Sequence, residues 1–318
     1  MGTASIHLLG DLMVDIACEV DTLEALTFAR GSDFPSRATL SPGGSAANTA
    51  TWLARAGNAV HLIGAIGDDP LGDYLVNKIR DSGVDVLVQR VPGELTGVCL
   101  ILNEHDGQRT MIPSAGANAK FENSRAFDEL PVSNFTHLHV SAYMLFHEVS
   151  GITALAYMAE ARRLGATVSL DPASSALLAH NRARLMAALA LSDLLLANSD
   201  EALEITRLLH KEGVHCEEID LGLISTALNP LSPTVVVTDA AEPVRALGNS
   251  VHNFTIPVAS ISSVTSTTGA GDAFNAGYLN AWLAGSDIPA SIAAGTILAG
   301  RVLGEVGATT ITNDSAPQ

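Results

Sequence analysis

The stretch "TTGAGDAFNAG", residues 267 to 277, sets a single carboxylate among glycines and alanines. Phe274, Tyr278, Leu279 and Trp282 follow at helical spacing, so Gly269 to Asp272 is expected to open a helix. At such an end the backbone N–H groups lack intrahelical partners and the dipole favours negative charge. Gly269, Ala270 and Gly271 therefore suit an anion, phosphate above all. Asp272 has two readings: an ordinary dipole partner of a first helical turn, or a base within reach of an attacking group. An anion cradle beside a base suits phosphoryl transfer.

Two further clusters carry polar groups at helix starts. In "SPGGSAANTATWLARAG", Gly43 and Gly44 precede a helix with Asn48 in its first turns. They are either a plain turn with a surface amide or a place where a hydroxyl-rich ligand lies against backbone. Asp11 and Asp15, in "LLGDLMVD" near the end of the first strand, can accept hydrogen bonds from sugar hydroxyls. In "LLLANSDEALEI", Asn198 and Glu201 form an ordinary helix cap or organise hydrated magnesium around phosphates. Competing signatures are absent: no G-x-x-x-x-G-K-[ST], no G-x-G-x-x-G after the first strand and no G-x-S-x-G occurs in the sequence.

The elements that must position these groups follow from periodicity. Six short apolar runs, "SIHLLG", "AVHLIGAIG", "THLHV", "ATVSLD", "DLLLAN" and "TVVVT", read as buried strands. Between them, "SAANTATWLARAG", "DPLGDYLVNKIRDSG", "GITALAYMAEARRLG", "SDEALEITRLLHKEG" and "GDAFNAGYLNAWLAG" read as helices, most ending in glycine after a basic last turn. This alternation predicts one α/β domain over 1–318, with a mostly parallel sheet covered by helices on both faces. Residues 12 to 42 look irregular, with Gly31, Pro35 and Pro42, and "TGVCLILNEHDGQRTMIP" reads as two strands joined by "EHDG". Segments of about 12–42 and 95–115 are expected to form a small β lid. Val98 to Leu102 are apolar on both strand faces, which predicts a lid covered twice, the second time by another subunit in a homodimer.

Composition narrows the partners. With 34 acidic against 17 basic side chains, the net charge of -17 opposes nucleic acid and anionic lipid. Mean hydropathy is +0.27, yet "LMAALALSDLLLAN", the most apolar window, is broken by Ser192 and Asp193 before it could span a bilayer. The amino terminus lacks a basic region and meets Asp11 early, so a cytoplasmic location is expected. Cys18, Cys99 and Cys216 show no metal or disulfide spacing, and His137 with His139 share a strand face without a third ligand nearby.

Together these residues resemble the ribokinase-like (PfkB) family of carbohydrate kinases, over essentially the whole chain and in the right order. "GGSAANTATWLARAG" is similar to the family's amino-terminal motif and "STTGAGDAFNAGYL" to its anion-hole motif, about 220 residues later. The resemblance implies a ribokinase-like three-layer sandwich and an ATP-dependent transferase, with Asp272 as base and Gly269, Ala270 and Gly271 as anion hole. It further implies that Asp11, Asp15, Gly43, Gly44 and Asn48 hold the sugar, and that Asn198 and Glu201 handle Mg2+ and phosphate. Arg109 would place charge near the substrate and Thr238 would contact nucleotide.

The sequence departs from the family in places. Ser266 stands where the family usually has Asp near its monovalent cation site, which argues against potassium activation. Asp239 and Ala240 replace the usual leucine and glycine of the nucleotide loop, Thr296 stands where ribokinases commonly place asparagine, and "DPASS" lacks the asparagine often found after Asp171 and Pro172. The leading expectation is a kinase for a small sugar of the ribose, fructose or 2-keto-3-deoxygluconate type. An adenosine-type nucleoside kinase is the alternative. A non-catalytic sugar sensor is a third reading, against which the intact Asp272 and glycine turn argue.

Overall fold

A computed structural model describes residues 5–20, 33, 35–104, 109–122, 135–210, 216–231, 233–248, 253–258, 266–304 and 308–309. Nine strands form the large sheet: β1 (Ser5–Leu9), β4 (Ala59–Gly67), β5 (Asp85–Val91), β8 (Phe135–Ser141), β9 (Thr167–Asp171), β10 (Leu194–Asn198), β11 (Thr234–Asp239), β12 (Glu242–Leu247) and β13 (Asn253–Ile256). Their spatial order is β13-β12-β11-β10-β9-β8-β1-β4-β5, parallel from β5 through β11, with β12 and β13 antiparallel at one edge. All six strands read from apolar runs are present. A parallel sheet needs crossover helices, and these cover both faces.

One face packs on α3 (Glu148–Arg163), α4 (Arg182–Leu191), α5 (Ser199–Leu209) and α6 (Leu221–Ala227), around Leu138, Val140, Val168 and Leu195. The other packs on α1 (Ser45–Arg55), α2 (Pro70–Arg80), α7 (Ala270–Leu283) and α8 (Ile288–Val302), around Leu8, Leu62, Leu196 and Tyr278. Two separate cores on opposite faces make the three-layer sandwich. Chain direction reverses beside β1, where β4 and β8 leave to opposite sides, and such a switch point opens a crevice at the carboxyl ends of the strands.

A second sheet has the order β3-β2-β6-β7, from β2 (Met13–Val20), β3 (Ala38–Gly43), β6 (Gly97–Glu104) and β7 (Arg109–Ser114). The reading of 12–42 as irregular is thus corrected: its two ends are strands, and β2 pairs parallel with β6 over eight residues. That pairing spans some 80 positions of sequence, so no local signal announces it. Gly31, most of "EHDG", the Gly213 expected to end α5 and nearly all of "ASISSVTS" lie outside the described residues.

Among the described residues this sheet is covered on one face. Met13, Cys99 and Ile101 are buried on its inner face. On the other face a row formed by Leu40, Ile16, Leu100 and Ile112 crosses all four strands, with Leu40 52% and Ile112 54% exposed. No helix among the described residues is long and apolar enough to cross a membrane.

Candidate active site

A cavity of about 800 Å³ lies where the strand ends of the large sheet meet the inner face of the small one. Asp11 follows β1, Asp171 ends β9, Asn198 ends β10 and Thr238 lies near the end of β11; all four line it. From the small sheet, Asp15 of β2, Cys99 of β6 and Arg109 of β7 face the same space.

The first turn of α7 forms one wall. Gly269, its N-cap, has φ 78 and offers no side-chain cap, so no side chain at the N-cap answers the amides that follow. A side chain at Gly269 would also strike Ala308, whose Cβ lies 2.4 Å from the position it would take. At Gly271 a Cβ would meet nothing within 4 Å, so this glycine faces open cavity. Gly269, Gly271 and Asp272 line the cavity. Ala270 does not, and its amide donates to the Thr267 carbonyl at 3.4 Å.

Asp272 Oδ2 accepts a hydrogen bond from Asn48 Nδ2 at 2.8 Å, and Thr49 Oγ1 donates to the Asp272 carbonyl at 3.3 Å. The two glycine-led helices are thereby tied together across the cavity. Gly44, with φ 99, starts α1 because a Cβ there would lie 2.2 Å from the Asp11 carbonyl oxygen. Gly43 is buried behind the cavity wall: its missing side chain leaves room for the Asp15 carboxylate, 2.3 Å from where a Cβ would stand.

Five carboxylates, Asp11, Asp15, Asp171, Glu201 and Asp272, line this cavity. Desolvation, with Asp171 as a neighbouring charge, pushes Asp272 up to about 8. Asp272 keeps partial solvent contact through the cavity, but the surrounding protein is deep enough for burial to dominate. Burial also raises Glu201 to about 8, Asp15 to about 7, and Asp11 and Asp171 to about 6. Arg109 is the only Arg or Lys on the described lining. It donates to Thr267 Oγ1, and burial lowers its pKa while Asp272 and Tyr143 hold it up.

At α5 the cap reading of Asn198 and Glu201 holds in full. Asn198 Oδ1 accepts from the Glu201 amide and Glu201 Oε2 from the Asn198 amide, both at 2.9 Å, and both residues also line the cavity. Thr238 lines it nearby and donates to the Ala197 carbonyl at 3.4 Å. Asp239 accepts from Ser199 Oγ at 2.8 Å, and Ala240 sits at φ 45 in the turn between β11 and β12.

Sequence reasoning passed over Asp171, Asn275 and Ser45 as site residues, and singled out none of "SAYMLF", of which Tyr143 and Phe146 line the cavity. Asp171 Oδ2 accepts from Asn275 Nδ2 at 2.9 Å and Ser45 Oγ at 3.2 Å. The available signal was helical: Asn275 stands three residues after Asp272 and so shares its face. His137 and His139 are held by hydroxyls, and no group of three or more His, Cys, Asp or Glu side chains among the described residues is placed to hold a metal.

This geometry belongs to a phosphotransferase with an alcohol group as acceptor. The description "pfkB family carbohydrate kinase" matches residues 3–315, and the chain belongs to that family. It is 30% identical over 267 residues to the ATP-dependent ribose-1-phosphate kinase of Halopiger xanaduensis, covering 82% of this chain and 81% of that one. It is also 30% identical over 299 residues to the fructokinase of Klebsiella pneumoniae, covering 91% and 87%. Among solved structures, adenosine kinase from Sinorhizobium meliloti superposes with a TM-score of 0.84 at 22% identity, covering 98% of this chain and 97% of that one.

Proposed function

We propose that this kinase transfers the γ-phosphate of ATP to a hydroxyl of a small carbohydrate, with Asp272 as the base. One observation carries the reading: Asp272 stands in the first turn of an uncapped helix and is bound to Asn48 of the first glycine cluster, within one cavity. Asp11, Asp15, Asn48 and the backbone at Gly44 hold the acceptor, with Gly43 making room for Asp15. The amides from Gly269 to Gly271 receive the charge that spreads over the moving phosphoryl group, where fixed donors count most. Asp272 takes the acceptor proton, and Arg109 adds positive charge from the small sheet, which acts as a lid that excludes competing water.

Five lining carboxylates against one arginine repel an unaccompanied polyphosphate, so the donor set fits a nucleotide that arrives with a divalent cation. Asn198 and Glu201 would hold hydrated Mg2+, which supplies charge neutralisation to the phosphates, and Thr238 would contact the nucleotide. Tyr143 and Phe146, in edge-to-face contact with ring centroids 5.7 Å apart on the cavity wall, favour a nucleoside as the second acceptor class, because an aromatic ring face on the wall offers a base a surface to stack on. The exposed row Leu40, Ile16, Leu100 and Ile112 supports a homodimer through the lid, and sedimentation as monomer at micromolar concentration contradicts it. The net charge of -17, which opposes nucleic acid, and a location in the cytoplasm remain part of the reading.

ADP production with magnesium ATP and a panel of ribose, fructose, 2-keto-3-deoxygluconate and adenosine tests it. Turnover with one acceptor, abolished by Asp272→Asn, is expected. ADP release that no acceptor stimulates contradicts the proposal.

A further inference from the structure

Strands β8 and β9 lie mid-sheet, covered on both faces, where parallel strands ordinarily carry apolar side chains on each. Toward α3 they present Leu138, Val140, Val168 and Leu170, all buried. Toward α7 they present His137, His139 and Ser141 opposite Thr167, Ser169 and Asp171, in register pair by pair. Every position on that side is polar, and all but Thr167 are buried.

These groups form a hydrogen-bonded row. His137 Nδ1 meets Thr167 Oγ1, His137 Nε2 meets Ser169 Oγ, and Ser169 Oγ meets His139 Nδ1, each at 2.8 Å. At the outer edge Thr167 donates to the carbonyl of exposed Thr136 at 3.3 Å. At the inner end are Asp171 and Ser141, the latter beside Asp11, whose pKa its hydroxyl lowers. The row is interrupted between His139 and Ser141. His139 Nε2, Ser141 Oγ and Tyr278 Oη are buried without hydrogen bonds of standard geometry among the described residues. On α7, Asn275 binds Asp171 and the Trp282 ring lies 5.7 Å from that of His137, so Tyr278, between them, falls level with the interruption. A buried water ordinarily makes about three hydrogen bonds to polar groups that lack other partners.

We propose that this row, completed by one buried water bound to His139, Ser141 and Tyr278, is a proton outlet from the catalytic cavity to the opposite edge of the sheet. It rests on the reading of Asp272 as base. In each turnover the acceptor O–H bond breaks, its electron pair forms the new O–P bond, and the bond from the γ-phosphorus to ADP breaks with its pair leaving on ADP. The proton stays on Asp272, which must lose it before the next cycle while ligands fill the cavity. Ser45 donates to Asp171 and lies close enough to Asp272 to lower its pKa, so its hydroxyl passes the proton between the two carboxylates. From the carboxylate cluster it moves through Ser141, which lies beside Asp11, and the water into the row: each member accepts one proton and releases another, and one emerges at Thr167. A neutral imidazole does this by exchanging tautomers. Burial holds His137 and His139 near about 3, which keeps both neutral at working pH.

Ser169→Ala cuts the row away from the cavity. The expected result is a kcat lowered about tenfold with both KM values unchanged, a larger solvent deuterium isotope effect, and recovery of both in Ser169→Thr. If Ser169→Ala does not fold, Tyr278→Phe, which removes one partner of the water, is expected to shift kcat and the isotope effect the same way. A wild-type kcat, or a lowered kcat with an unchanged isotope effect, overturns the outlet. Activity retained in Asp272→Asn overturns the base instead, so the two failures are distinguishable.

Discussion

Two helices begin on the same cavity, and their first turns are built differently. At α5 the orphan amides are answered from within, by the reciprocal bonds of Asn198 and Glu201. At α7 the N-cap is a left-handed glycine with no side-chain cap, and the next glycine opens onto the cavity. The first arrangement stabilises a helix; the second leaves donors available where charge develops. A helix start is therefore a candidate anion site only when its own sequence does not fill it, and here the serine, asparagine and glutamate of one turn contrast with the glycine and alanine of the other.

Substitutions separate the two ends. Asp272→Asn has the largest effect, a fall in kcat of about a thousandfold with acceptor and nucleotide binding retained, measured by steady-state kinetics beside calorimetry. Glu201→Gln keeps most of the cap but removes a carboxylate that can ionise against a cation, and is expected to raise the KM for magnesium nucleotide by about tenfold while kcat changes less. Asn198→Ala opens the α5 end and costs about 1 kcal/mol of stability in denaturant titration.

Acidity gives a further contrast. Because the folded state raises Asp272 to about 8, it holds a proton there that the unfolded chain releases near its ordinary value of 3.8. Its contribution to stability is full below that ordinary value and is lost as pH climbs through about 8. Asp272→Asn should thus raise the melting temperature of the ligand-free protein at pH 9 more than at pH 5. For the base, kcat/KM should rise with pH toward a group near about 8, and Asp171→Asn should move that limb to lower pH, since after burial the Asp171 charge is the largest cause that raises it. The smallest effect is expected at Ala240: Ala240→Gly relieves its φ of 45 and should add about 0.5 to 1 kcal/mol.

Six of the nine strands of the large sheet were legible because burial on both faces leaves short apolar runs, whereas β5, β12 and β13, part-exposed at or near the sheet edges, were not. Helix starts were legible because small and capping residues precede an amphipathic pattern. The small sheet was half legible. Its β6–β7 hairpin is local, whereas the pairing of β2 with β6 depends on residues far apart, so Met13 to Val20 gave no sign of its partner. The same limit hid Asp171 and Ser45: a carboxylate closing one strand and a serine opening a distant helix meet only in the fold. His137 and His139 could be read as a pair, but Ser169, which joins them, lies on another strand.

The contrast between the two helix starts is tested most directly by a crystal structure with ADP, an acceptor and a metal fluoride that mimics the transferred phosphoryl group. The account predicts the fluoride at about 3 Å from amides of the Gly269–Gly271 turn, with the acceptor hydroxyl on Asp272. A fluoride seated instead at the start of α5, or an acceptor hydroxyl turned away from Asp272, contradicts it.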